Sequence, residues 1–122
     1  MIPLPYRWLM VGVYLAMLLG LSSIPGGGEG GSHRLMDWQG SDKVLHFWIY
    51  FPLGWLLALT ELRWWQVLLV GALLAGMDEA YQGTVPNRTP DILDWMADVG
   101  GIAVGWVAEY WIKGKSRMAH EP

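Results

Sequence analysis

Histidine, tyrosine, carboxylates and two cations recur at helical spacing in three segments of this 122-residue chain. In SDKVLHFWIY, Asp42, His46 and Tyr50 fall every four positions and Lys43 lies three before His46, which sets them on one stripe of a helix. In DEAYQ, Asp78 and Gln82 are four apart and Glu79 is three before Gln82. Adjacent carboxyls do not share a face. One of Asp78 and Glu79 is therefore expected to face the bundle and the other a neighbouring helix or the interface. RTPDILDWMADVGGIAVG places Arg88 just ahead of Pro90, then Asp91, Asp94 and Asp98 at offsets that return to one face. His46 has the chemistry of a general acid or base, with Asp42, Glu79 or Asp94 to orient it and Arg88 to stabilise developing negative charge. His46, Glu79 and Asp94 are the catalytic candidates. Asp42, Lys43, Tyr50, Asp78, Gln82, Arg88, Asp91 and Asp98 are the ligand-binding candidates. Lys43 and Arg88 suit a phosphate or carboxylate. The carboxylate excess suits a hard cation such as magnesium or calcium, although no particular metal or cofactor is indicated.

The elements that carry these stripes read as four apolar helices, at about 3–24, 42–62, 64–82 and 90–112, in one domain spanning 1–122. A bilayer-spanning helix needs about 20 mostly apolar residues, and the first segment supplies them with Arg7 as its only charge. The same segment, with Ser22 and Ser23 at its end, also fits a cleaved signal peptide. Gly26 to Gly40, with Glu29, His33 and Arg34, reads as an exposed flexible loop. His33 and His120 read as solvated bystanders. In the later segments the charge-free stretches, Phe47 to Thr60 and Trp64 to Met77, fall short of a bilayer, which leaves a soluble helical core as the alternative. Against it, the interrupting charges lie toward the ends of the segments. Trp8, Trp64, Trp65, Tyr110 and Trp111 also fall where an aromatic belt belongs.

Composition points the same way. A hydrophobic fraction of 53%, with 9 Trp and 7 Met, would leave large apolar patches on so small a soluble domain. The net charge of −3 gives no basic face for nucleic acid, since the dense basic cluster is only Lys113, Lys115 and Arg117. Absence of cysteine excludes disulfides, thiolate metal sites and cysteine nucleophiles. Arg7, Arg63, Lys113, Lys115 and Arg117 lie on the side of the termini, against Arg34, Lys43 and Arg88 opposite. The expectation is an all-α membrane four-helix bundle with both termini cytoplasmic and the polar end outward. A charge at the bilayer centre costs about 2.5 to 3.5 kcal/mol on insertion scales, so such residues pair or line a wet cavity. Gly101 and Gly105 continue the aspartate stripe and would let another helix approach closely.

DKVLHFWIYFPLG followed by DEAYQGTVPNRTPDILDWMADVGG resembles the VanZ family of small bacterial membrane proteins. The resemblance runs from SSIPG to Gly105 and rests on order: DKVLH with Tyr50, then DEAYQ, then Pro86, Arg88, Asp94 and a glycine pair. The family usually carries asparagine where this chain has Asp98. The resemblance implies a multi-pass protein of the bacterial inner membrane and reduced susceptibility to teicoplanin-type glycopeptide antibiotics.

Three functions compete. The favoured one is an envelope protein whose outward pocket binds or alters a lipid head group or cell-wall precursor. The second is an intramembrane hydrolase or transferase acting on a lipid head group through His46 and carboxylates. No GxSxG, HExxH or Walker A sequence supports it. The third is an assembly protein that meets other membrane proteins through glycine faces and Trp48 or Trp106. A purely structural role for the polar network, fixing helix register, stands beside all three.

Overall fold

A computed structural model describes residues 1–24 and 41–120, with side chains for 1–24 and 42–115. The described residues form four α-helices and no strand: α1 (Leu4–Ser22), α2 (Ser41–Ala58), α3 (Trp64–Gln82) and α4 (Ile92–His120). The expected loop from Gly26 to Gly40 lies outside the described residues, as does the His120 side chain.

Local chemistry sets the boundaries. Pro5 sits in the first turn of α1, where a missing N–H costs nothing. α2 ends at Ala58, four residues before the expected boundary, because its last turn tightens. The Thr60 N–H reaches the Leu57 carbonyl at 3.1 Å and the Thr60 hydroxyl donates to the same oxygen at 2.6 Å. Glu61 then takes a left-handed conformation (φ 69°) that no helix continues. α3 opens with the Gln66 side chain accepting the Arg63 N–H at 2.8 Å. α4 begins two residues later than expected, with Asp91 as its cap: Asp91 Oδ1 accepts the Leu93 N–H at 2.9 Å. It also runs on to His120, eight residues past the expected end at 112, and Lys113, Lys115, Arg117, Met118 and Ala119 are good helix formers there, against Gly114, which is not.

α2 and α4 run parallel and touch backbone to backbone. A Cβ at Gly54 would overlap the Ile102 carbonyl and Cα, and one at Gly101 or Gly105 would overlap the Phe47 or Phe51 carbonyl. Ile102, fully buried, presses on Gly54 of α2 and projects over Gly71 of α3, where an added Cβ would meet its side chain at 2.8 Å. Leu53, Leu57, Val67 and Ala75 close round it.

α1 is attached differently. Only Val11, Leu18 and Ser22 of it are buried. Its bonds to the rest lie at intervals: Arg7 Nη1 donates to the Leu59 carbonyl at 2.9 Å, Tyr14 Oη to the Ile49 carbonyl at 2.5 Å, and Ser23 Oγ meets Tyr81 Oη at 2.8 Å. Among the described helices, α1 alone is long and apolar enough throughout to cross a membrane.

Candidate functional site

The N-termini of α2 and α4 and the C-termini of α1 and α3 meet at one end of the bundle. Helix N-termini carry partial positive charge, so acidic residues in the first turns of α2 and α4 are favoured there. The two stripes deepen together. Side-chain exposure falls from 59% at Asp42 through 17% at His46, and from 39% at Asp91 through 12% at Asp94 to 0% at Asp98.

Lys43 stands at the mouth. Its Nζ lies 3.1 Å from Asp42 Oδ2, 3.2 Å from Asp91 Oδ2 and 3.1 Å from Asp94 Oδ1. One turn deeper, His46 Nδ1 lies 2.8 Å from Asp98 Oδ1, and its Nε2 lies 3.7 Å from Asp94 Oδ2. Deeper again, Tyr50 is buried and donates to Asp78 Oδ2 at 2.5 Å. Gln82 donates to the same oxygen at 3.4 Å and to Ser22 Oγ at 3.5 Å.

Asp78 and Glu79 divide as adjacent residues on a helix must. Asp78 turns to α2, while Glu79 Oε1 accepts the Asp91 N–H at 2.7 Å ahead of α4. Among the described residues, Glu79 Oε2 and Asp98 Oδ2 are buried without a hydrogen-bond partner. Buried carboxylate oxygens without partners are costly and call for a reason. One ligand atom from each of His46, Glu79 and Asp98 lies within 4.8 Å of the others, so these three side chains are the ones placed to hold a metal ion.

A cavity of about 200 Å³ opens beside these groups. His46, Tyr50, Asp78, Gln82 and Arg88 form its polar wall, and Leu18, Leu21, Leu45 and Ile49 its apolar one. On the other side of Glu79 an open groove of about 370 Å³ runs between Asp91, Pro90 and Trp95.

All the catalytic and ligand-binding candidates stand at this end. Arg88 does not pair with a carboxylate among the described residues. Its Nε donates to the Ile24 carbonyl at 2.7 Å and its Nη2 to the Leu21 carbonyl at 3.4 Å. The last carbonyls of a helix lack intrahelical donors, and a guanidinium satisfies them. Ser22 was missed as a site residue. The signal for it was available, as a polar residue in the last turn of an otherwise apolar segment. At the opposite end Glu109 is also buried, paired with Lys113 at 2.9 Å.

Neither a curated protein nor a solved structure matches the chain. The family model described as VanZ/LLP1 does, over residues 8–113, a stretch that holds every residue of this polar end from Ser22 to Asp98, and so the chain belongs to the VanZ/LLP1 family.

Proposed function

We propose that the chain is a multi-pass protein of the bacterial inner membrane, with cytoplasmic termini and its carboxylate-rich end facing outward, and that the cavity beside α1 takes the polar head group of a lipid or cell-wall precursor. Apolar residues on every helix support the membrane setting: Leu9, Val13, Leu45, Leu69, Leu73 and Val107 all face outward. Trp8, Trp64, Trp65, Tyr110 and Trp111 are exposed near the end opposite the site, as an interfacial belt would be.

One observation carries the ligand reading. The cavity is polar along His46, Tyr50, Asp78, Gln82 and Arg88 and apolar along α1 and α2, which suits a molecule with a charged head and a hydrocarbon stem. The surrounding carboxylates favour a head group that carries both charges over a bare anion. Through its family the chain is then linked to reduced teicoplanin susceptibility, by binding or altering such a precursor.

The test is retention. Protein purified in mild detergent should hold a co-purifying lipid by native mass spectrometry, and folded Arg88→Glu and Gln82→Ala variants should lose it and the teicoplanin phenotype together. Unchanged retention and unchanged teicoplanin response in both would sink the reading. Single cysteines introduced at Thr84 and Glu61 check the orientation, since the natural chain has none. An impermeant maleimide should label the first on intact cells and spare the second.

A catalytic reading has one observation in its favour, an imidazole flanked by Asp98 on one nitrogen and Asp94 on the other. His46 would then move a proton for a hydrolase or transferase, with Glu79 and Asp94 assisting. Full cellular activity in His46→Ala would remove it.

A further inference from the structure

We infer that His46, Glu79 and Asp98 form a binding site for a single divalent transition-metal ion, of the manganese or zinc class, at the base of the polar end. The site stands on its own geometry and does not depend on the head-group reading.

The first observation is convergence. Three different helices each bring one ligand, α2 through His46, α3 through Glu79 and α4 through Asp98, with ligand atoms within 4.8 Å of one another. Two ligands bound side by side to an ion at about 2.1 Å stand roughly 3 Å apart. His46 Nδ1 and Asp98 Oδ1 are already 2.8 Å apart. An ion held by both atoms would sit to one side of the line that joins them and displace the proton they share.

The second observation is independent of clustering. Glu79 is 7% exposed and Asp98 0%, and each keeps one buried oxygen, Oε2 and Oδ2, without a partner among the described residues. Such atoms are few in a purely structural network, because each orphaned carboxylate oxygen forfeits its hydration and calls for a reason. A cation held by both carboxylates offsets that cost.

Charge points the same way. Lys43 answers the carboxylates of Asp42, Asp91 and Asp94 at the rim, and Asp78 is held by Tyr50 and Gln82. Arg88 is turned to the end of α1. Beyond the imidazole, no cation among the described residues reaches Glu79 or Asp98. Neutral imidazole with two carboxylates leaves two negative charges, which one divalent ion balances.

Donor type selects the class. One nitrogen and two oxygens are borderline in softness, which suits manganese or zinc better than calcium, whose sites are built of six to eight oxygens. Three protein ligands leave coordination positions open to water or a ligand. The groove at Glu79 and the cavity at His46 give the ion a route in and those positions a place to open.

The experiment uses metal-stripped full-length protein in detergent micelles, titrated with manganese alone and followed by electron paramagnetic resonance. The expected result is loss of the free-ion signal at one equivalent per chain, nitrogen coupling from one imidazole, and displacement of manganese by zinc. Asp98→Asn and Glu79→Gln, which keep side-chain shape, should each weaken binding at least about tenfold, and His46→Ala should abolish the nitrogen coupling. Glu61→Gln at the far end of the bundle should bind as the parent does. Circular dichroism and thermal melting establish that each variant is folded, and a variant that fails is replaced by Asp98→Ser or Glu79→Ser. Absence of saturable binding, or equal binding in the Asp98 and Glu79 variants, would overturn the site. Saturable binding without nitrogen coupling would overturn it as well.

Discussion

His46 Nδ1 and Asp98 Oδ1 meet at 2.8 Å across the α2–α4 seam, and the carboxylate in that pair is wholly buried. Asp98 has therefore exchanged its hydration for one imidazole. Removing either partner leaves the other without that exchange.

Asp98→Ala and His46→Ala should each lower unfolding free energy by about 1 to 3 kcal/mol, the cost of a stranded buried polar group. The double variant should cost less than the two singles added, since the stranding penalty is then absent. Asp98→Asn, which can still accept from or donate to the ring, should fall between wild type and Asp98→Ala. Chemical denaturation in micelles reads all four.

At the mouth the ranking should follow the second job of each carboxylate. Among the described residues Asp42 pairs with Lys43 alone, and it is exposed, so Asp42→Ala should change stability by no more than about 1 kcal/mol. Asp91 also caps α4 through the Leu93 N–H, and Asp91→Ala should cost about 1 kcal/mol more, the usual loss of a cap. Equal effects at the two positions would show that the cap contributes nothing.

The α2–α4 seam makes a steric prediction. Gly54→Ala should destabilise by more than about 1 to 3 kcal/mol, because its methyl has to displace the Ile102 backbone and not a side-chain tip. Gly12→Ala on α1 meets nothing within 4 Å and should be neutral or stabilise by about 0.5 to 1 kcal/mol through helix propensity. Melting temperatures of the pair give the comparison.

Arg88→Lys should loosen the end of α1 while leaving its start in place. Lysine keeps the charge but not the fork that reaches the Leu21 and Ile24 carbonyls. Amide exchange at Ser23 and Ile24 should quicken about tenfold, equivalent to about 1.4 kcal/mol. Exchange near Tyr6 and Arg7, anchored by the Leu59 carbonyl, should stay as it was.

The stripes were legible because helical spacing is a local property. Asp42, His46 and Tyr50 on one helix and Asp91, Asp94 and Asp98 on another had to fall on single faces once the helices were assigned. Which stripe met which was not local. That Lys43 bridges Asp91 and Asp94, or that Asp98 meets His46 and not Arg88, depends on the parallel register of α2 and α4, set by Gly54, Gly101 and Gly105 against opposing backbone. The spacing of Gly101 and Gly105 hinted at a close approach without naming its partner. The contacts of Arg88 with the Leu21 and Ile24 carbonyls were not legible for a different reason: a sequence carries no mark of which carbonyls a helix end leaves open. The helix ends at Ala58 and His120 were likewise blurred, because apolar runs locate a helix's buried part and not its last turns.

The contact of α2 with α4 also has a consequence for how the protein is made. α4 leaves the ribosome after α2 and α3, yet it brings Asp94 to Lys43, Asp98 to His46 and the Asp91 N–H to Glu79. Until it arrives, a nascent chain carries a histidine and a glutamate without the partners α4 supplies, a lysine left with Asp42 of its own helix, and a surface at Gly54 that α4 has yet to cover. The polar end is therefore completed only once α4 has packed against α2 and α3.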